Sequence, residues 1–409
     1  KKDTQVRYLG GVKSPILTEV KKSDKVTVLE DEDDWMKVAT ADGYVGYIKT
    51  KFLKNQKKEK TSRDFTEPVY SDMTEDHSIN MAWHNVTNAA ANNAVQQVLA
   101  STSGLTTIAP TWFSLADTEG NISSIADADY VNYAHTAGLE VWAVFRDFHG
   151  GTNSYDETYE TLRYTSKRAK LEDQVVAAAV AAGVDGINLD FELISSKCGV
   201  HYVQLVRELS VKCHQNNLVF SVDNYVPQSY NSHYDLKEQG IVADYVVIMA
   251  YDEHTEGSYE AGSVASISYL QDGIEKTLKK VSADKVIAGI PFFTRLWFET
   301  AKSPEQLSEE AGTEAASYPN KVSSKALGME EAAQSVVNAG ATAQWDEKTQ
   351  QNYAKWSADG GTYRIWLEDA QSLEAKLKVI QENKLAGVAE WSLGKEESSV
   401  WKLISQYVN

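Results

Sequence analysis

Asp185-Gly186-Ile187-Asn188-Leu189-Asp190-Phe191-Glu192 is the stretch on which the fold turns, because it sets polar residues where a buried strand should be apolar. Upstream, Ala177 to Gly183 reads as the small, apolar end of a helix, and downstream Leu193-Ile194 leads into another helical stretch. The run is therefore read as a strand between two helices. Alternate side chains of a strand share a face. Ile187, Leu189, Phe191 and Leu193 make an apolar face, while Gly186, Asn188, Asp190 and Glu192 project from the other. Buried carboxylates cost several kcal/mol each unless hydrogen-bonded or sharing a proton. A fold gains nothing by stacking two of them on one strand, so the polar face points to chemistry rather than to stability.

Outward from this strand, the pattern repeats. Strand signals fall at Ile79 to Trp83, Thr106 to Phe113, Glu140 to Phe145, Gly186 to Glu192, Leu218 to Tyr225, Ala243 to Tyr251, Lys285 to Pro291 and Leu385 to Trp391. Amphipathic stretches lie between them, at Ala89 to Ala100, Thr158 to Ala182, Val200 to Gln215 and Tyr269 to Val281. This alternation predicts an α/β fold, a (β/α)8 TIM barrel over 70–409, with a doubly wound open sheet as the alternative. The barrel is preferred because polar and aromatic residues recur at strand ends: Trp83, Trp112, Arg146, Glu192, Tyr225, Tyr251-Asp252, Arg295 and Trp391. In a barrel those ends converge on one mouth, where active sites lie. The long gap between the seventh and eighth strands holds a helical Met329 to Ala339. It also holds strand-like pieces at Thr342 to Trp345, Asn352 to Trp356 and Thr362 to Trp366, which predicts a small α+β insertion over about 298–370.

Residues 1–55 read as a separate all-β module. Lys25 to Glu30, Trp35 to Ala39 and Tyr44 to Ile48 are strands, joined by turns at Asp31 to Asp34 and Ala41-Asp42-Gly43. Lys25-Val26, Trp35 to Val38 and Gly43 to Ile48 resemble the pattern of bacterial Src-homology-3-like domains, modules associated with cell-wall binding. A polar linker is expected over 56–69.

Composition narrows the partners. A formal net charge of -18 argues against nucleic acid and against an anionic membrane surface, both of which call for basic patches. No stretch approaches the length of a membrane span. The chain starts at Lys1 and shows no signal peptide; an export signal removed upstream is the expected reason, with an extracellular or wall-associated location. Cys198 and Cys213 flank a helical segment on the order of 20 Å long, too far apart to pair with each other. Neither they nor the 8 histidines show a metal-ligand spacing, so no metal or cofactor is expected, and the chain is expected to be a monomer.

With these residues in view, Asp185 to Glu192 resembles the D-G-x-D-x-D-x-E signature of glycoside hydrolase family 18, with Asn188 in place of the first inner Asp. Met249-Ala250-Tyr251-Asp252 resembles the family's M-x-Y-D on the sixth strand, and Trp391 its floor tryptophan on the eighth. Tyr251 to His254, Trp366 to Asp369 and Trp391 to Gly394 are most similar to bacterial spore- and wall-lytic N-acetylglucosaminidases. Asp190 and Glu192 lie on one strand face, which makes a direct two-carboxylate mechanism awkward, and the resemblance implies instead that the sugar's own 2-acetamido oxygen attacks the anomeric carbon. It implies Glu192 as general acid and base, Asp190 as holder of the acetamido N–H, Tyr251 as donor to the acetamido oxygen, and Trp391 as an apolar floor. Arg146, Asn224 and Arg295 are weaker candidates, balanced between groove contacts and structural pairs.

The expected substrate is a polysaccharide, peptidoglycan ahead of chitin because of the wall-type module. A catalytically silent carbohydrate-binding barrel is the reading from another class, and retention of Glu192 speaks against it. Asn188 is the departure from the signature. A neutral amide there removes a repulsion and is expected to donate a hydrogen bond to Asp190.

Overall fold

The computed structural model describes residues 2–58, 60, 62, 64 and 71–408, so most of the expected linker over 56–69 lies outside the described residues. The chain divides into two compact units, 1–69 and 70–409.

The first unit is a five-stranded antiparallel sheet. Its strand order is Ile16–Val20, Thr4–Arg7, Val45–Lys49, Trp35–Thr40, Val26–Glu32. The two N-terminal strands were not expected from the sequence. Alternation puts Val6, Met36, Val38 and Ile48 into one small core. Gly43, at φ 91°, turns the hairpin between Trp35–Thr40 and Val45–Lys49, a conformation that a side chain resists.

The second unit is a closed TIM barrel. Its strands are β1 (Ile79–His84), β2 (Thr107–Pro110), β3 (Glu140–Arg146), β4 (Gly186–Asp190), β5 (Val219–Tyr225), β6 (Tyr245–Met249), β7 (Val286–Pro291) and β8 (Gly387–Trp391). Every neighbouring pair is parallel, and β8 pairs with β1 to close the ring. A short hairpin, Phe113–Leu115 with Ile122–Ser124, continues along the upper edge of β3. Here the single strand expected over Thr106 to Phe113 breaks in two. The first piece ends at Pro110, which has no N–H for a ladder. The helix expected over Thr158 to Ala182 is likewise two, Tyr155–Leu162 and Thr165–Ala182, separated where Tyr164 takes an extended conformation.

Period-two alternation splits the strands' apolar residues between two cores. Outward residues such as Ile187, Leu189, Phe191, Phe220, Val222 and Val246 pack beneath the helices. Inward ones, among them Met81, Trp142, Val144, Val219, Tyr245, Val247 and Ile287, fill the barrel. Its interior is a packed plug, not a pore. The Trp142 ring stacks on Tyr245 at 5.4 Å. Gly186 beside them has no room for a side chain, since a Cβ there would come within 2.8 Å of the Trp142 ring.

Between β7 and β8 lies the insertion, a five-stranded antiparallel sheet in the order Asn320–Gly328, Phe293–Ala301, Gly361–Leu367, Gln351–Ala358, Gln344–Asp346. Helix Met329–Asn338 covers it, burying Ala332 and Val336 against Leu327, Ala354, Ile365 and Leu367. The sheet begins at Phe293, ahead of the edge expected at 298, because it continues directly from β7.

Candidate active site

Strand register brings the mouth together. Arg146 stands opposite Asp190, Asn188 opposite Ser221, Tyr225 opposite Met249, and Trp391 opposite both Pro291 and Trp83. Inward alternation on β4 carries Gly186, Asn188 and Asp190 into the barrel, while β5 carries Val219, Ser221, Asp223 and Tyr225. At the base, Trp83 donates from Nε1 to Asn188 Oδ1 at 3.0 Å, and Asn188 Nδ2 donates to Ser221 Oγ at 2.9 Å and to Asp223 Oδ1 at 2.7 Å. The Asn188 amide is thus committed to Asp223, contrary to the expectation that it would hold Asp190. Above it, Asp190 is buried, and its Oδ1 has no hydrogen-bond partner among the described residues. Burial, then the charges of Glu192, Asp223 and Asp147, drive its pKa well above the usual carboxylate range, with Arg146 opposing. Asp223 is pushed up to about 8, chiefly by burial.

Glu192 lies just past the end of β4, and three contacts hold it. Its main-chain N–H donates to Asp147 Oδ1 at 2.9 Å, its carbonyl accepts from the Tyr234 hydroxyl at 3.1 Å, and its carboxylate accepts a short hydrogen bond from the Tyr225 hydroxyl. Burial raises its pKa, while the Tyr225 bond pulls the other way. A carboxylic acid that holds its proton more tightly than an exposed one is suited to protonate a leaving group.

Asp147 completes the clamp. Its Oδ2 accepts from Leu193 N at 3.0 Å and from Thr158 Oγ1 at 3.1 Å, and burial lifts its carboxyl to about 7. Sequence reasoning missed Asp147 and Tyr234, because nothing local marks contacts that span more than forty residues. Asp223 was also missed, although it carried a signal. The parity applied to β4, applied to Val219 to Tyr225, sends Asp223 inward and Asn224 outward.

Opposite Glu192, Trp83, Tyr251 and Trp391 form an aromatic floor. Trp83 meets Tyr251 edge-on at 6.4 Å and Trp391 at 5.9 Å, and Tyr251 meets Phe293 at 6.3 Å. Met249 lies buried beneath them in the same inner core. Burial keeps the Tyr251 hydroxyl protonated, hence a donor. Asp252 adopts a left-handed backbone at φ 58°, and burial raises its pKa, with Arg295 and Lys395 opposing.

Two expected residues do not reach the mouth. Trp112 falls in the break after Pro110 and turns into the outer core, where Nε1 donates to Asn92 Oδ1 at 2.8 Å and its ring sits 4.9 Å from Tyr130. Asn224 faces outward and exchanges hydrogen bonds with Gln239, at 2.7 Å and 3.0 Å.

Comparison with known proteins bears on the family and the fold. The model of "Glycosyl hydrolases family 18" matches residues 83–396, and that of "Bacterial SH3 domain" matches residues 10–54. The glycosylase YvbX of Bacillus subtilis is 26% identical over 295 residues, covering 70% of this chain and 80% of that protein. The cortical fragment-lytic enzyme of B. subtilis is 27% identical over 256 residues, 60% of this chain, which spans only 54% of that protein's length. Among solved structures, a chitinase from Chromobacterium violaceum superposes with a TM-score of 0.67 at 21% identity, over 80% of this chain and 98% of its own; at that identity the likeness shows the fold alone. A closed barrel with acidic residues at the end of its fourth strand, matched by a family model over three quarters of its length, places the chain in glycosyl hydrolase family 18: it is a glycosidase with a bacterial SH3 domain in front.

Proposed function

We propose that this enzyme cleaves β-1,4 bonds next to N-acetylglucosamine in bacterial peptidoglycan by a retaining, substrate-assisted reaction. The observation that carries the mechanism is Asp190, buried close to Glu192 with one oxygen that has no partner among the described residues. A buried carboxyl group left short of a partner is ready to receive one from a ligand. The acetamido N–H of the sugar supplies it. Attack from the acetamido oxygen then removes the need for a second carboxylate on the opposite face, as is general for family 18.

Glu192 protonates the glycosidic oxygen as the acetamido oxygen bonds to the anomeric carbon. The resulting oxazolinium ring carries positive charge, which Asp190 offsets, and the Tyr251 hydroxyl orients the acetamido oxygen. Glu192, now ionised, takes a proton from water as that water opens the ring, so the enzyme returns to its starting protonation. Trp391 gives the distorted sugar an apolar surface, backed by the buried Trp83 ring. The Arg146 charge, across the strand pair, favours the ionised form of Asp190 as the ring forms.

Peptidoglycan is favoured over chitin by the bacterial SH3 domain in front of the barrel and by the likeness to a cortical fragment-lytic enzyme. An extracellular or wall-associated setting follows from that substrate. Mass spectrometry of products from purified peptidoglycan and from chitin oligomers tests the reading. Release of fragments from chitin alone overturns it in favour of a chitinase.

A further inference from the structure

Across the mouth from Glu192, two cations from different elements converge. Arg295 lies between Phe293 and Trp297 on one face of strand Phe293–Ala301. Phe293 meets the Tyr251 ring, and Trp297 donates from Nε1 to the Gly262 carbonyl at 2.8 Å, so that face looks toward the barrel mouth. Arg295 reaches Ser324 Oγ with one terminal nitrogen at 3.0 Å, and its Nε is buried with no partner among the described residues. Lys395, on the turn after β8, sets its ammonium 5.0 Å from the Phe293 ring centroid. Among the described residues neither cation stands in an ion pair, the nearby acid being Asp252, which acts on Lys395 and is acted on by both.

Two cations against one carboxylate leave local positive charge in a chain whose net charge is -18. The rest of the mouth is acidic, with Asp190, Glu192 and Asp223 converging. A neutral sugar polymer has no need of such a patch. An acid-bearing sugar does, because a carboxylate that enters a part-buried site loses hydration and needs a cation to replace it, and such a site screens their attraction weakly. We propose that Arg295 and Lys395 form a carboxylate-binding site in the groove, which selects glycans whose sugars bear an acidic ether or peptide substituent over uncharged N-acetylglucosamine polymers. The proposal rests on the reading of this mouth as a glycan-cleaving site and adds what the glycan must carry.

The test reads binding, so that it stands apart from turnover. Calorimetry on the Glu192→Gln enzyme compares three tetrasaccharides of equal length: one with free lactyl carboxylates, the same sugar with those groups as methyl amides, and the N-acetylglucosamine tetramer. Tighter binding of the free acid by about tenfold is expected, a typical margin for a charge-assisted hydrogen bond. Adding Lys395→Met should remove most of that preference, and Lys395→Arg should restore it. Raising salt should shrink it in parallel. Equal affinity for acid and amide overturns the inference, as does a preference unchanged in Lys395→Met. Arg295→Gln provides a second variant if Lys395→Met does not fold. Hydrolysis of none of the three by the unmodified enzyme would instead refute the proposed activity, leaving the binding comparison to decide the carboxylate site by itself.

Discussion

Where β4 and β5 end, Asp190, Glu192 and Asp223 crowd together with Arg146 across from Asp190, and burial makes each acid hold its proton more tightly. Where β6, β7 and β8 end, a single acid, Asp252, faces Arg295 and Lys395. The same barrel thus builds one wall that favours protons and one in which the cations outnumber the acid. The first wall depends on desolvation, and the second on charges brought in by the insertion and by the turn after β8. This division separates chemistry from recognition: a proton donor is made by withholding compensation, and a binding surface by supplying it in excess.

The sharpest way to break the comparison is Glu192→Gln. The amide cannot donate a proton to the leaving oxygen, so turnover should fall by about 10² to 10⁴ while the fold persists. Retention of more than half the rate on a substrate with a poor leaving group would remove Glu192 from the chemistry.

Next in size is Asp147, which holds the main chain beneath Glu192. Asp147→Ala leaves two buried N–H groups unsatisfied, at roughly 1–3 kcal/mol each, and should lower the urea midpoint accordingly. The milder Asp147→Asn isolates the charge. The folded carboxyl titrates at about 7 against an ordinary 3.8, so the native state binds the extra proton between those values and stability falls as pH rises through that window. That component is absent from the amide. The asparagine variant should therefore gain on the unmodified protein as pH rises through the same window, and a constant difference across it would mean that Asp147 is ionised throughout.

Tyr225→Phe probes the proton-favouring wall more gently. The hydroxyl donates to the Glu192 carboxylate and so stabilises its ionised form. Removing it should raise the pKa of Glu192 and move the alkaline limb of kcat/KM upward, by under about one unit for the loss of one hydrogen bond. A downward movement would show that the tyrosine instead stabilises the protonated acid. The smallest effect is expected from deleting residues 1–55. If both walls are self-contained within the barrel unit, hydrolysis of a short soluble oligosaccharide should stay nearly unchanged, with retention on insoluble wall reduced. Equal loss on both substrates would mean that the front module supports the site.

How far the site could be read from the sequence depended on whether each signal was local. Alternation along Asp185 to Glu192 placed Asn188 and Asp190 inside the barrel, since a strand's period is set by covalent geometry. The same rule, carried to Val219 to Tyr225, would have exchanged Asn224 for Asp223. Trp112 misled because a proline two residues earlier ends the strand and resets the alternation. Asp147, Tyr234 and Lys395 lay beyond any such rule. Each acts on a residue brought near only by ring closure, and one sequence does not mark which of its many acids, tyrosines and lysines will meet there.

The insertion is a continuation of β7, and main-chain hydrogen bonds tie it to the barrel at widely separated points. Phe292 N donates to the Trp391 carbonyl at 2.8 Å, Met329 N to the Lys395 carbonyl at 2.8 Å, and Ile267 N to the Thr349 carbonyl at 3.0 Å, while Lys376 and Glu368 form a buried ion pair below. A sheet pinned at several points along its length behaves as masonry, not as a door. A groove walled this way is expected to keep its depth whether empty or filled, so that the ordering entropy of binding falls on the polymer and hardly at all on the protein. On the proposed reading of the substrate as peptidoglycan, a fixed slot suits a polymer already stiffened by cross-links, which can present itself to such a slot but cannot easily wrap around a moving one.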